Sequence, residues 1–339
     1  AWLCDEERQV GILADQMGLG KTIQALVAHR KGRGLVVVCP ASLKGVWARE
    51  AEAWRDDLSV TILSGRGSFR WPEKDELIIT NYEILPSASE FVTPPSGVGL
   101  VADEAHYLKS ARSQRTKKFR TLSKVVEVAG GRVWLLTGTP LLNRPQELWT
   151  ILAAIRSNKK IFKSWATFTA MFGYFGGQWG NVDPRVPILL REIMLARRRH
   201  EVLPDLPVKT HRDVEVSYIP VAVRKICDEV AAEMTKAGID PVQVDLDDPD
   251  ALARFQEATF SAHLSTARRL LATSKVELAK EIAIQYEDQD EPLVVFSAHR
   301  EPIEILGERD GWKMIYGSTP VDQRNENVED FQQGKIKGL

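Results

Sequence analysis

Short apolar runs recur through the first half of the sequence, and amphipathic helical patterns separate several of them. Runs of about four to six apolar residues are typical of strands buried on both faces, and such strands form parallel sheets that helices cover. The alternation therefore predicts an α/β fold built on a parallel sheet. The predicted strands lie at 11–15, 35–39, 60–63, 77–80, 99–103 and 133–137.

Polar or glycine-rich turns follow five of these runs. They read "QMGLGKT", "CPAS", "TNYE", "DEAH" and "TGTP". The carboxyl ends of parallel strands meet at one edge of a sheet, and ligands of open α/β sheets bind there. The sequence therefore predicts a functional site at this edge.

The stretch "ILADQMGLGKT" has the composition of a phosphate-binding loop. Gly18 and Gly20 can adopt positive φ and lack a Cβ, so a ligand can approach the backbone. The N–H groups that begin the next helix attract an anion, while Lys21 adds a positive charge and Thr22 a hydroxyl for a metal ion. The strict pattern has glycine where Asp15 stands, so a glycine-rich turn without a ligand remains the alternative.

Asp103 and Glu104 end a predicted strand about eighty residues after this loop. An acidic residue at this place holds Mg²⁺ in P-loop nucleotidases, and a neighbouring carboxylate can deprotonate the attacking water. By itself "DEAH" could be a solvated turn. Its position after an apolar run and downstream of a P-loop favours the catalytic role.

Composition limits the classes of protein. The chain has 339 residues with a net charge of −1, so any surface for a polyanion must be local. Cys4, Cys39 and Cys227 lie far apart, which predicts small buried side chains in a reducing compartment rather than a metal site. No apolar run approaches the length of a membrane span, and we expect an intracellular protein without a membrane partner.

The pattern changes after about residue 155. The 156–192 region is irregular, and its aromatic residues at 171–179 are expected to pack a helical protrusion rather than to stack on bases. A basic cluster, Arg197 to Arg199, could follow a phosphate backbone, bridge two domains or simply be solvated. Further on, helices are predicted at about 221–236 and 251–287 and from Pro302 and Pro320, with strands at 210–218, 292–297 and 313–317.

Together, the motifs resemble a known family. "ILADQMGLGKTIQAL", "VVVCPASLKGVWAREAEAW", "IITNYEIL", "VADEAHYLKS" and "VWLLTGTPLLNRPQELWTIL" resemble, in order and spacing, the first motor lobe of Swi/Snf-type ATPases of helicase superfamily two. "LARRRHEVLPDLPVKT", "PLVVFSAHRE" and "IYGSTPVDQRNENVEDFQ" extend the resemblance into the second lobe. The match looks closest to the branch of annealing helicases, or fork-remodelling translocases.

This resemblance implies two RecA-like parallel-sheet lobes, the second of them truncated, with ATP between them and double-stranded DNA across both. We expect lobe one at 1–155, a helical protrusion and basic brace at 156–207, and the beginning of lobe two at 208–339 with a helical insertion at about 221–272.

The resemblance also implies roles for individual residues. Lys21, Asp103 and Glu104 would be catalytic, with Thr22 and Asp103 holding Mg²⁺. The nucleotide would contact Gly18, Leu19, Gly20, Lys21, Thr22, His106, Thr137, Gly138 and Thr139. DNA phosphates would contact Pro40, Ala41, Ser42, Thr80, Asn81, Ser297, His299, Gly317, Ser318 and Thr319. Ser42 is also the predicted N-cap of the helix that ends at Trp54.

The chain departs from the family pattern in places. The family usually has glutamate where Gln16 stands, and two arginines where Ala196 and Arg197 stand. We expect the family's upstream adenine-reading motif to precede the chain, and its last two motifs, one with the arginine finger, to follow Leu339.

The predicted function is that of a monomeric, ATP-dependent translocase on double-stranded DNA, including forked or branched DNA. ATP and Mg²⁺ are its expected cofactors. An RNA-directed helicase and a nucleotide-dependent DNA-binding module without efficient turnover are the alternatives. The protein would work in the cytoplasm or nucleoid of a prokaryote, as a viral protein, or in a eukaryotic nucleus.

Overall fold

A computed structural model describes residues 2–5, 7–87, 93–140, 144–207, 209–215, 220–236 and 258–339, of which 233, 234 and 258–264 are described by their backbone alone. The chain divides into two compact units, Ala1–Val208 and Lys209–Leu339. Each unit is described by itself below.

The first unit is built on a seven-stranded sheet in which every neighbouring pair is parallel. The predicted α/β class is therefore confirmed. Along the sheet the strands follow the order β3-β4-β2-β5-β6-β1-β7. Their bounds are Val10–Leu13 (β1), Leu35–Cys39 (β2), Ser59–Ile62 (β3), Glu76–Asn81 (β4), Gly99–Ala102 (β5), Arg132–Leu136 (β6) and Met194–Leu195 (β7).

Helices cover the sheet and form the segment that leads to β7. The helices that alternate with the strands are Lys21–Ala28 (α1), Lys44–Trp54 (α2) and Gln114–Val128 (α3). After β6 come Pro145–Ala154 (α4), Asn158–Phe162 (α5), Trp165–Met171 (α6) and Arg185–Leu190 (α7), and Arg199–Val202 (α8) follows β7.

Burial on both faces explains why the strands read as continuous apolar runs. In β2, Val36 and Val38 belong to one apolar cluster, whereas Val37 and Cys39 belong to the other. Burying an aliphatic side chain stabilises the fold by about 1.5–3 kcal/mol, so a strand between two helical layers has few polar positions. The edge strand β3 differs, because its Ile62 is exposed.

The aromatic residues of the 156–192 region mainly pack against one another. Phe168 is fully buried, and its ring lies 5.0 Å from that of Phe162 and 4.5 Å from that of Phe172. Phe175 differs from the others, because it is 90% exposed beside a tight bridge to Gln178. After this cluster the chain returns to the sheet as β7, which pairs with β1.

The second unit consists mainly of helices in the part that the structure describes. They are Val221–Lys236 (α9), Ala258–Ser274 (α10), Val276–Asp288 (α11), Arg300–Gly307 (α12) and Val321–Gln332 (α13). The predicted helix at 251–287 is therefore two helices, and its residues 251–257 lie outside the described part. Pro320 is the N-cap of α13, as its position in the sequence suggests.

The strands predicted for the second unit are not formed as ladders. Residues 210–215 form no strand, and 216–219 lie outside the described residues. The run at 292–297 contributes one isolated parallel bridge, from Leu293 to Gly338. The run at 313–317 forms no strand, although Trp312, just before it, also pairs with Gly338. Phe296, in the predicted strand at 292–297, is 90% exposed.

The prediction that the three cysteines are small buried side chains is correct for one of them. Cys39 is buried, and burial raises the pKa of its thiol to about 12. Cys4 and Cys227 are exposed, so they do not pack as small hydrophobic side chains. Among the described residues, no helix has both the length and the apolar character needed to cross a membrane.

His29 makes the stability of the first unit depend on pH. Its Nε2 lies 3.0 Å from Arg33 O, and burial, the largest cause, lowers its pKa from 6.5 to about 4. Between these values the unfolded chain binds a proton that the native protein does not, so stability falls as the pH falls. We expect the free energy of unfolding to decrease by about 2 kcal/mol between pH 7 and pH 5 from this group alone.

Denaturant unfolding at the two pH values, with His29→Gln as the comparison, measures this effect. The variant should lose less stability than the native protein over this interval, whatever its stability at pH 7. An equal loss in both proteins would show that His29 is not the group responsible.

Candidate nucleotide-binding site

The loop between β1 and α1 has the backbone conformation that its glycines predict. Gly18 has φ of +83° and Gly20 has φ of +69°, a region that favours glycine. No atom lies within 4 Å of the position that a Cβ on Gly20 would occupy. The loop therefore leaves room beside Gly20 at the N-terminus of α1, where an anion can approach the backbone.

Lys21 lies at the centre of this site. Its Nζ donates to Asp15 O at 2.9 Å and to Gln16 O at 3.4 Å. Burial lowers the pKa of Lys21, while the negative charges of Glu104 and Asp103 act in the opposite direction. The lysine that follows β1 and the two carboxylates that follow β5 are thus close enough to interact electrostatically, as strand ends on one sheet edge should be.

Two hydrogen bonds fix the side chain of Asp103. Trp47 in α2 donates through Nε1 to Oδ2 at 2.8 Å, and the Glu104 N–H donates to Oδ1 at 2.9 Å. The Tyr82 hydroxyl donates to Asp103 O at 2.6 Å. Burial raises the pKa of Asp103, and the hydrogen bond from Trp47 opposes this shift. Sequence reasoning did not identify Trp47, because it belongs to a helix 56 residues away.

Glu104 and His106 carry polar atoms that are buried without a hydrogen-bond partner among the described residues. Glu104 Oε2 lies 3.1 Å from His106 Nδ1, but the angles are not those of a hydrogen bond. Glu104 also has φ of +50°, which is uncommon for a residue with a side chain and occurs often at functional sites. Unpartnered buried oxygen and nitrogen atoms at this place fit a site that holds a polar reactant.

The "TGT" turn lies beside the P-loop. Thr137 is fully buried, its N–H donates to Leu13 O at 3.0 Å, and its Oγ1 accepts from the Thr139 N–H at 3.1 Å. A Cβ on Gly138 would lie 3.0 Å from Met17 Cγ and 3.7 Å from Lys21 Nζ. The absence of a side chain at Gly138 therefore allows this turn to approach the lysine.

These residues fit a nucleotide and Mg²⁺ by their chemistry. The N–H groups at the start of α1 and Lys21 suit phosphate, while the hydroxyl of Thr22 and the carboxylate of Asp103 are oxygen ligands of the kind that Mg²⁺ prefers. The Cβ position that is free at Gly20 leaves room for the phosphate.

The residue that replaces the first P-loop glycine has a structural partner. Asp15 is fully buried, and Arg197 donates to it through Nε at 3.1 Å and Nη2 at 2.5 Å. Gln24 Nε2 donates to Asp15 Oδ2 at 3.1 Å and also to Leu19 O at 2.7 Å. Asp15 thus joins the loop to the basic cluster. Asp15 and Arg197 are 182 positions apart in the chain, and nothing in the sequence pattern indicated their contact.

The residues predicted to contact DNA in the first unit differ in exposure. Ala41 and Ser42 are exposed, and Pro40 is half-buried. Ser42 is not an N-cap: it lies inside a 3₁₀ turn, Ala41–Leu43, that precedes α2, and Leu43 is the cap residue. Thr80 is fully buried and Asn81 is 7% exposed, so the Thr80 side chain is enclosed by the sheet and offers no surface to a phosphate.

The corresponding residues of the second unit form two turns. Ser297 Oγ accepts from the N–H of His299, which is the N-cap of α12, at 3.1 Å. Gly317 and Ser318 are exposed. Thr319 is buried, and its Oγ1 accepts from the Tyr316 N–H at 3.1 Å, which closes the turn.

Comparison with known proteins gives one family match. Residues 1–221 match the SNF2-related domain. A relative in Xenopus laevis, the SWI/SNF-related matrix-associated actin-dependent regulator of chromatin subfamily A-like protein 1, is 30% identical over 95% of this chain and 33% of its own length. Its homolog in Caenorhabditis elegans is 27% identical over 95% of this chain and 47% of its own length.

A third relative carries a name that states an activity. The DNA annealing helicase and endonuclease ZRANB3 of Bos taurus is 26% identical over 95% of this chain and 31% of its own length. The chain thus spans between 31% and 47% of the length of these relatives.

Proposed function

The chain belongs to the SNF2-related domain family, and on that premise we propose that it hydrolyses ATP to move along double-stranded DNA. The observation that carries the proposal is that the P-loop with Lys21, after β1, and the carboxylates of Asp103 and Glu104, after β5, follow parallel strands that end at the same edge of the sheet. A lysine and a pair of carboxylates at a P-loop are among the groups that phosphoryl transfer to water uses.

In this proposal the P-loop and the carboxylates have separate tasks. The N–H groups of Gly20 and α1 hold the phosphates, and Lys21 contacts their terminal oxygens. Thr22 and Asp103 would hold Mg²⁺, which supplies neutralisation of phosphate charge. Glu104 accepts a proton from the attacking water, and its Oε2, which has no hydrogen-bond partner among the described residues, is available for that water. The turn of Thr137, Gly138 and Thr139 approaches Lys21 at Gly138, so it can respond to the nucleotide.

The duplex would be held mainly through its phosphates. Ala41 and Ser42 begin a short helical turn, whose first N–H groups lack partners within the turn and can donate to a phosphate oxygen. Gly317 and Ser318 offer exposed backbone in the second unit. Contacts of this kind read no sequence, which suits a motor that moves along any duplex. We propose a monomeric motor, with forked or branched duplexes among its substrates, that works in the compartment holding the cell's DNA.

This mode of binding predicts a strong dependence on salt. Each phosphate that the protein neutralises contributes a slope of about −0.9 to a plot of log affinity against log salt. We expect a slope of about −3 or steeper for a 30-base-pair duplex, and affinities that agree within about threefold for unrelated sequences. Fluorescence anisotropy over a range of KCl concentrations measures both quantities.

Ser42→Ala provides a specific comparison. It removes a neutral donor, so it should weaken binding without changing the salt slope, and Ser68→Ala, a change outside these turns, serves as the control. A slope near zero, or a strong preference for one sequence, would contradict binding through the phosphates.

A further inference from the structure

The segment that follows β7 lies along the P-loop of the same unit. The parallel pairing of β1 and β7 continues beyond both strands, because the Ala14 N–H donates to Leu195 O at 2.7 Å and the Gln16 N–H donates to Arg197 O at 3.0 Å. The chain from Arg197 to Arg199 therefore follows the first residues of the loop.

Arg197 anchors this segment. Its backbone N–H and Nε both donate to Asp15 Oδ1, at 3.0 and 3.1 Å, and its Nη2 donates to Asp15 Oδ2 and to Gln24 Oε1. A bidentate arginine–carboxylate pair is specific in geometry, and the carboxylate here is fully buried. Separation of the pair would leave a buried charge without a partner, so the segment is held where it lies.

Arg199 reaches the P-loop from this anchor. Its N–H donates to Gln16 Oε1 at 2.7 Å, and its Nη2 donates to Met17 O at 2.7 Å. The same Nη2 lies 3.0 Å from the position that a Cβ on Gly18 would occupy. A guanidinium has five N–H donors, and within the described residues one of those of Arg199 has an acceptor.

The contact with Met17 indicates which phosphate is nearest. Met17 lies beside Gly138, and a Cβ at Gly138 would be only 3.7 Å from Lys21 Nζ. The ammonium of a P-loop lysine reaches the β- and γ-phosphates. The guanidinium of Arg199 is thus bound to the side of the loop on which the terminal phosphate lies.

We propose that Arg199 is a nucleotide-binding residue, supplied by the first unit itself, whose guanidinium contacts the terminal phosphate of ATP. Arg197 is its positioning residue. The inference rests on the proposed function, since it assumes that the P-loop binds ATP. Arginine suits this place because its planar fork can donate two parallel hydrogen bonds to phosphate oxygens.

Nucleotide affinity tests the proposal. A non-hydrolysable ATP analogue and ADP, each with Mg²⁺, would be titrated against the protein in competition with a fluorescent ADP. Arg199→Ala should weaken binding of the ATP analogue about tenfold or more and that of ADP less than about twofold, because a hydrogen bond to a charged group at the terminal phosphate is lost. The affinity of Arg199→Lys for the ATP analogue should lie between those of the native protein and of Arg199→Ala, because lysine keeps the positive charge but lacks the planar fork of donors.

Arg191→Ala is the control, since it removes the same charge from an exposed position at the end of α7 and should leave both affinities unchanged. Equal weakening of ATP analogue and ADP by Arg199→Ala, or no more weakening than Arg191→Ala causes, would overturn the proposal. Lys21→Ala separates a failure of this inference from a failure of the P-loop assignment. If Lys21→Ala lowers nucleotide affinity while Arg199→Ala does not, only this inference fails. If neither change lowers nucleotide affinity, the P-loop assignment fails as well.

Discussion

Replacement of Lys21 by alanine is expected to reduce ATP hydrolysis by the natural protein by two to three orders of magnitude or more, about the loss that removal of one preorganised transition-state donor causes. The ammonium lies in a partly buried cleft, where a charge-assisted contact with phosphate is stronger than in water. Lys21 Nζ donates to the backbone carbonyls of Asp15 and Gln16. Because these carbonyls are neutral and can accept from water instead, the fold should survive the change.

The measurement is the steady-state rate with saturating duplex DNA, together with the thermal midpoint of unfolding. Lys117→Ala, at an exposed position of α3, is the control for the loss of one lysine. A folded Lys21→Ala protein that retains more than about a tenth of the native rate would contradict the assignment of the P-loop.

Replacement of Glu104 by glutamine should separate binding from hydrolysis. The variant keeps the size of the side chain and leaves Asp103 in place, but it cannot accept the proton of the attacking water. General-base catalysis contributes about 10²–10⁴ in rate, so we expect hydrolysis to fall about a thousandfold while affinity for ATP with Mg²⁺ changes less than about threefold.

Asp103→Asn is the complementary variant. It removes the charge that would hold Mg²⁺ but keeps an oxygen that can accept from Trp47 or from the Glu104 N–H. Its nucleotide affinity should no longer increase when Mg²⁺ replaces EDTA, whereas that of Glu104→Gln should still increase. The same loss of affinity in both variants would show that the two carboxylates do not have separate tasks.

The parts of the site that depend on local sequence could be predicted. Gly18 and Gly20 adopt positive φ because the loop requires it, and the buried strand β5 ends where the acidic pair begins. Continuous apolar runs indicated strands between two helical layers, since alternate residues of β2 pack on opposite faces of the sheet. The family resemblance, which rested on these motifs, is confirmed by the match over residues 1–221.

The contacts that depend on distant residues could not be predicted. Trp47 is one apolar residue of an amphipathic helix, and only the fold brings its indole N–H to Asp103. Asp15 departs from the glycine of the strict P-loop pattern because its carboxylate is bound by Arg197, which returns to the sheet beside β1 after the helical segment. Serine is a common N-cap residue, but Ser42 lies inside a 3₁₀ turn, and α2 begins only after this turn, at Lys44.

In the second unit, apolar runs in the sequence did not correctly predict strands. Residues 292–297 have the composition of a buried strand, but a strand also needs a partner, and Leu293 pairs with Gly338 alone as an isolated bridge. Phe296, in the same run, is 90% exposed. The composition of 292–297 therefore indicated a tendency to form a strand, but whether a strand forms depends on long-range pairing.

The proposed function is tested most directly by ATP hydrolysis of the natural protein with different polymers. Rates would be measured at saturating ATP and Mg²⁺ with duplex DNA, single-stranded DNA, RNA or no polymer, and with Glu104→Gln as the blank. If the protein is a translocase on double-stranded DNA, duplex DNA stimulates hydrolysis well above the other three conditions. Stimulation by RNA in preference to duplex DNA, or a rate that no polymer changes, would contradict it.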